Sequence, residues 1–484
     1  MKNKIILIIA ISMLSFYSCE DALEETIYGK IAETNFWNTE KDAEAAIKSA
    51  YSAIRGGWLG LSFWQFVVED LGTDIGTGGY FATTAYSSYT GWTATTPDFT
   101  SWGLWTSFWS GINYSNAVLD NVPDMEIDED VKNRVVGEAY AVRAMIYFHL
   151  VNWFGGMPEV ITTKTAPLSI PRKSVESNYA LIEADLLKAI ELLPLKSNLV
   201  AMGETDYGRL SKGAAQSLLA KVYLQQDKWQ ECSDMCKEVI SSDEYILEPN
   251  YMDIFSLENE GFSNSEVIWV FPFITGTSPV INSCVLQVYL FKAGEINSYS
   301  NYYNWAGDIR ATKSFYDSFE SNDLRREGLY YSTTSTAADP VMLLKYPSDP
   351  ASDGSQSGTD YPFIRYADVL LMNAEALANL DDLEGSADNV NIVRERAGLD
   401  DIDAVDFNKL SLLYHIYHER NWELYFEGHA KQDKIRMDYE NMIAYIKSKS
   451  TDWQIFTAER YLLLPIPANA VASNPELNQN PDFE

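Results

Sequence analysis

Residues 213–240, GAAQSLLAKVYLQQDKWQECSDMCKEVI, read as two helices joined by a turn at Asp227 and Lys228. Ala214, Ala215 and Ala220 let the pair approach closely, and Tyr223 with Trp229 fills the remaining gap. Neither helix can bury its apolar face alone, so a unit of this kind demands neighbours and points to a stack of helix pairs. Periodicity supplies the neighbours. Ala43, Ala46, Ile47, Ala50, Tyr51 and Ile54 form one helical stripe over 41–55. Residues 131–154 are apolar on nearly all sides in their second half, which predicts a buried helix. Residues 179–193 are amphipathic up to Pro194, and further pairs are expected over 367–397 and 411–436.

The 213–240 unit looks like a tetratricopeptide repeat, but long insertions interrupt any 34-residue period. The expected fold is therefore mainly α: tetratricopeptide-like helix pairs in a superhelical scaffold, with large loop-rich insertions near 58–110 and 265–360 and a few short strands. The first insertion is crowded with aromatic residues and broken by Gly72, Gly76, Gly78, Gly79 and Gly91. Trp102, Trp105, Phe108 and Trp109 follow helical spacing into the core, and Trp64 with Phe66 reads as buried. Tyr80, Phe81, Tyr86, Tyr89 and Trp92 remain for glycine-rich loops. The second insertion carries a strand-like run, SEVIWVFPF, and then NSYSNYYNW.

At the start of the chain, Lys2 and Lys4 precede an apolar segment, Ile5 to Leu14, too short to span a bilayer. Cys19 follows, then Glu20 and Asp21. Residues 1–18 read as a lipoprotein signal peptide and Cys19 as the acylated first residue of the mature protein, leaving 19–484 as one domain. Several acyl chains on one residue suffice to hold a protein to a membrane, and the acidic start resembles the surface-export signal of Bacteroidetes lipoproteins. The formal charge of −33 disfavours nucleic acid and polyanionic ligands. Cys232 and Cys236 have helical spacing rather than that of a redox or metal pair and read, with Cys284, as idle thiols.

Motifs of chemistry are weak. There is no GxSxG elbow and no HExxH. Residues 203–210, GETDYGRL, have the glycine spacing of a phosphate loop, but Arg209 and Leu210 replace the required Lys and Ser or Thr. His415 and His418 lack a third metal ligand at a compelling spacing. Glu419, Glu423 and Glu427 repeat every fourth position beside Arg420, which suits structural ion pairing; a glycosidase needs carboxylates facing each other across a bond. The acidic run Asp400–Phe407 lacks the glycine turn and closing Glu of an EF-hand. The reading is thus no enzyme, no cofactor and no metal ligand set, with a structural calcium ion left open.

Four segments taken in order resemble the SusD/RagB family of outer-membrane glycan-binding lipoproteins: EAYAVRAMIYFHLVNWFGGMPEV, GRLSKGAAQSLLAKVYLQQDKW, YPFIRYADVLLMNAEALANL with NIVRERAGL, and HERNWELYFEGHAKQDKIR followed by LLLPIPANAVASNPELNQNP. Ala430 departs from the family's usual Arg two residues after FEG, which puts in question the ion pairing beneath that loop, although Asp433 and Arg436 remain. The resemblance implies a cell-surface, outer-membrane lipoprotein that captures oligosaccharide or polysaccharide without chemistry. It also implies a partner, a TonB-dependent SusC-like transporter to which the glycan is passed. In the family an aromatic platform draws on both insertions, which adds Tyr302, Tyr303 and Trp305, flanked by Asn301 and Asn304, to Tyr80, Tyr89 and Trp92. Asp70 and Asp74 are expected as polar rim contacts. The alternative is a scaffold that binds peptide or protein in a peptide-importing complex.

Overall fold

The computed structural model describes residues 36–55, 60–78, 99–165, 169–203, 207–273, 309–333, 340–347, 358–449, 462–481 and 483. Helix α1 (Glu40–Arg55) buries Ala43, Ala46, Ile47, Ala50 and Ile54, the predicted stripe. Its start is closed by Thr39 and Asp42, each bonding the other's backbone or hydroxyl. A short helix, α2 (Leu61–Gln65), runs into a wider π-type turn over Phe66–Asp70, and Trp64 and Phe66 are fully buried. Then come β1 (Gly76–Gly78), α3 (Phe99–Asn121) and α4 (Glu129–Phe154).

Helix α4 starts where Asp128 accepts the backbone N–H groups of Asp130 and Val131, and it stops at Gly155, whose φ of 77° favours glycine. It is buried over almost all of its second half. Trp105 and Phe108 on α3 pack against its Phe154 and Trp153. Gly111 lets α3 approach, because a Cβ there would lie 2.6 Å from Ile146 Cδ1. Arg143 on α4 is spent inside the fold, on Asp185 at 2.7 and 2.8 Å and on Asn116 at 2.7 Å.

Beyond α5 (Val175–Leu192) and α6 (Lys196–Ala201), the predicted pair appears as α7 (Lys212–Leu224) and α8 (Trp229–Ile240). Between them Asp227 takes φ 58°, its N–H donates to Leu224 O, and Lys228 N–H donates to Tyr223 O. After β2 (Val267–Phe271), β3 (Ile309–Ala311), α9 (Lys313–Ser318), β4 (Leu329–Tyr331), β5 (Val341–Leu343) and β6 (Tyr361–Arg365), a second pair follows. It consists of α10 (Tyr366–Asn379) and α11 (Leu383–Arg396). Its turn repeats the first bond for bond: Asp381 at φ 65° donates to Ala378 O, and Asp382 donates to Leu377 O. The two pairs share a construction that residue identity conceals. They stack α5, α7, α8, α10, with α12 (Lys409–Leu424) laid against α10 and α11. Helices α13 (Ala430–Met437), α14 (Tyr439–Lys449) and α15 (Ala468–Ser473) finish the chain.

Two small sheets join the helical parts. One has the order β1-β3-β5-β4, and the other pairs β2 with β6 antiparallel. In the segment YPFIRYADVLL, YPFIR forms strand β6, and the helix expected from 367 begins at Tyr366.

Under these strands lies a corner filled with charge. Arg365 reaches Glu266 at 2.6 Å and Glu427 at 2.6 Å and also bonds Glu423, while Arg396 meets Glu266 at 2.9 Å. Arg325 is held by Asp323 at 2.7 Å and by Glu419 and Glu423, Arg394 by Glu419 at 3.3 Å, and Lys345 by Glu427. Arg325, Lys345, Arg365, Arg394 and Arg396 thus balance Asp323, Glu266, Glu419, Glu423 and Glu427 one for one, with every one of these side chains buried. Burial opposes ionisation of Glu423, yet Arg396, Arg365 and Arg325 hold its carboxyl far below the usual range. Burial also pulls the Lys345 ammonium down to about 8, against the pull of Glu427. The structural role expected for Glu419 and Glu423 is observed, with one correction. Helix α12 ends at Leu424 and Phe426 turns to φ 56°, so Glu427 reaches the network from the loop, not from a helix face.

Candidate functional site at the roots of the insertions

Strand β1 leads out to residues 79–98, and β3 receives the chain from residues 274–308. The two strands pair antiparallel, Gly76 with Ala311, Thr77 with Arg310 and Gly78 with Ile309. The roots of the two aromatic insertions, far apart in sequence, are therefore neighbours in one ladder. Further back, Thr312 N–H donates to Ile75 O at 3.0 Å. Beneath β1, a Cβ on Gly76 would sit 2.9 Å from Asp70 O and 3.1 Å from Phe426 Cε1, so glycine permits the strand to lie directly on Asp70 and on the Phe426 ring of the loop after α12.

Tyr80, Tyr89, Trp92, Tyr302, Tyr303 and Trp305 lie outside the described residues, as do Phe81, Tyr86, Asn301, Asn304, Cys284 and Cys19 with the 1–18 segment. Asp70 is a correction. It is fully buried, accepting the N–H groups of Gly428 at 2.8 Å and Ala430 at 3.4 Å, and burial pushes its carboxyl pKa well up. It fastens β1's approach to the loop after α12, and no surface ligand can reach it. Asp74 is half exposed, with Oδ2 2.8 Å from Lys434 Nζ.

The second insertion is anchored at its other end. Phe273 N–H donates to Asp360 Oδ1 at 2.8 Å, and the Tyr207 hydroxyl donates to the same carboxyl, whose pKa burial raises to about 7. Beside this root is a cleft of about 270 Å³ lined by Lys48, Tyr51, Ser52 and Arg55 of α1, Gly208 and Arg209, and Val270 to Pro272. Arg209 is fixed by Glu138 at 3.0 Å and by Glu44, which ends the phosphate-loop reading of 203–210: the residue is a buried ion-pair partner. The cleft was missed from sequence because its wall comes from three distant segments. Lys48, Ser52 and Arg55, at helical spacing beside the α1 stripe, were the available signal.

Other candidates fall to structural roles. Cys232 and Cys236 are free, buried thiols on α8, and burial pushes the Cys236 thiol well up. Asp403 caps a short turn at Ala404–Asp406. His415 lies against Phe407 and is drawn by burial to about 4. Among the described residues no group of three His, Cys, Asp or Glu side chains is placed to hold a metal. Ala430 does not leave Asp433 unpaired, since Arg420 holds it at 2.7 Å and Arg436 at 2.9 Å.

Residues 295–483 match the SusD family, and residues 70–224 match a SusD-like family described as starch-binding and associating with the outer membrane. Between them, SusD/RagB and SusD-like families match most of the chain. A SusD-like protein of Formosa agariphila is 27% identical, with 99% of this chain and 98% of that one covered. Among solved structures, surface glycan-binding protein A from Bacteroides fluxus superposes with a TM-score of 0.78 at 21% identity, covering 92% of this chain and all of that one. A laminarin-binding SusD-like protein gives 0.77 at 24% identity, covering 92% of this chain and again all of the other. These likenesses establish a SusD fold. The two SusD/RagB matches take in β1 and β3 respectively, so the paired roots lie within family-like sequence. No helix among the described residues is long and apolar enough to cross a membrane.

Proposed function

We propose that this protein is a lipid-anchored glycan-binding protein of the cell surface. It captures oligosaccharide or polysaccharide and passes it to a TonB-dependent, SusC-like outer-membrane transporter, without catalysis. In this reading residues 1–18 are removed, Cys19 carries the lipid, and 19–484 act as one domain. The observation that carries the proposal is the register of Gly78 with Ile309, which joins the roots of the two aromatic-rich insertions. Rings arriving from both sides, Tyr80, Tyr89 and Trp92 from one and Tyr302, Tyr303 and Trp305 from the other, suit stacking on the C–H faces of sugar rings. Asp74, half exposed at the back of β1, is the remaining rim candidate. The family description and the names of the solved neighbours favour glycan over peptide.

Calorimetry of the protein from residue 20 onward against a broad glycan panel and a peptide mixture tests this reading. Saturable binding to at least one glycan is expected. Heat from peptides alone, with every glycan silent, would overturn it.

A further inference from the structure

Helix α12 buries Leu412, Ile416, Tyr417, Glu419, Arg420, Asn421, Glu423 and Leu424. Its opposite side presents Leu410, Tyr414, His418 and Trp422, every fourth residue, so the side chains follow one another at about 6 Å along the axis. Leu410 is 76% exposed and Tyr414 49%. The Tyr414 ring stands edge-on to His418, at 82° and 4.5 Å, and His418 lies nearly parallel to Trp422, at 29° and 5.7 Å. Trp422 is fixed by its indole N–H, which donates to Ser318 Oγ at 3.0 Å. This is an ordered aromatic row: its Trp422 end packs against Phe319 at the edge of the core, and its Tyr414 end is open.

The row has a polar flank. Lys434 Nζ bonds Asp74 Oδ2 at 2.8 Å and meets the Tyr417 hydroxyl at 3.3 Å. Asp74 Oδ1 is turned inward and receives no hydrogen bond from the described residues. His418 lies in the opposing fields of Asp74, Asp438 and Lys434, and burial lowers its pKa, so the ring is neutral near pH 7 and can both donate and accept. Lys434 is itself buried and holds Asp74 in place; ring faces flanked by the half-exposed Asp74 carboxylate and the His418 imidazole match a sugar, whose apolar face is bordered by hydroxyl groups, better than they match an apolar protein surface.

Position identifies the occupant further. Asp74 precedes β1 by two residues, and Ser318 ends the helix that follows β3. The row thus begins beside the base of the β1–β3 ladder, within reach of a long polymer that also engages the insertions rooted there. We propose that Tyr414, His418 and Trp422, with Asp74 at their side, form a second saccharide-binding strip that holds the continuation of a long glycan chain. The proposal rests on the glycan reading above.

Laminarin and soluble starch, with a matched heptasaccharide of each, separate the two ideas. Binding a chain at two linked places raises retention without changing affinity for a ligand that fills one place. Tyr414→Ala should weaken retention in affinity gels of the polysaccharide that binds by roughly threefold to tenfold, with heptasaccharide affinity at the stronger site and the melting temperature unchanged. Tyr414→Phe, which keeps the ring, should behave as the unaltered protein. If Tyr414→Ala is retained as strongly as the unaltered protein while Trp92→Ala with Trp305→Ala is not, the strip is refuted and the glycan reading stands. If Tyr414→Ala instead abolishes a concentration-dependent dimer in sedimentation, the face is a contact between copies and the strip is again refuted. If neither polysaccharide, nor any other glycan of the panel, retains the unaltered protein, both ideas fall together.

Discussion

Around Arg365 each charged side chain is held by partners arriving from different parts of the chain, and removing one strands the others in a dry interior. At the β1–β3 ladder, strands of three residues root two long insertions through backbone pairing. The first region specifies side chains closely because charge without a partner is costly when buried. Backbone pairing in the second leaves outward side chains free to change. On the glycan-binding reading both are needed, since a ligand-facing edge can vary only where its foundation does not.

Four experiments would sharpen or break that contrast. Arg365→Met, which leaves Glu266, Glu423 and Glu427 short of a cation, should lose about 3–5 kcal/mol in urea unfolding; a loss under about 1 kcal/mol would show that the corner does not hold the fold. Gly428→Ala should cost about 2 kcal/mol, because φ is 78° and the new Cβ would meet Gln65 Cγ at 2.1 Å. An unchanged urea midpoint would mean that Gln65 can leave without loss.

Asp360→Asn concerns the latch under Phe273. The folded carboxyl titrates near 7, above its unfolded value, so its stabilising contribution is complete at low pH and disappears as pH rises through 7. The unaltered protein should therefore lose about 2 kcal/mol relative to the variant between about pH 5 and 8, read as the difference of two unfolding curves; parallel curves would put Asp360 in contact with solvent. Smallest in stability is Trp92→Ala with Trp305→Ala. Glycan affinity should drop about tenfold or more while stability stays within about 0.5 kcal/mol. A large fall in melting temperature would move these rings into the core.

The helix pairs were legible because their signals are local. The stripe of α1 and the alanines of α7 announce burial without knowledge of the neighbour. Strand β6 was not, since its partner β2 lies far away in sequence and YPFIR continues directly into an apolar helix. Asp70 misled because an acidic residue before a glycine-rich stretch looks solvent-facing, whereas the N–H groups that claim it come from Gly428 and Ala430. Glu427 misled through Phe426, a bulky residue at positive φ that no propensity anticipates. The aromatic content of the insertions was plain, but that their roots share a ladder is a long-range fact of topology.

Pairing Gly78 with Ile309 also has an engineering consequence. Because the departure of the first insertion and the return of the second meet on the scaffold, residues 79–98 and 274–308 can be exchanged together as a cassette, cut beside the ladder and beside Phe99 and Phe273. On the glycan-binding reading, moving both should carry a donor's ligand preference onto this framework.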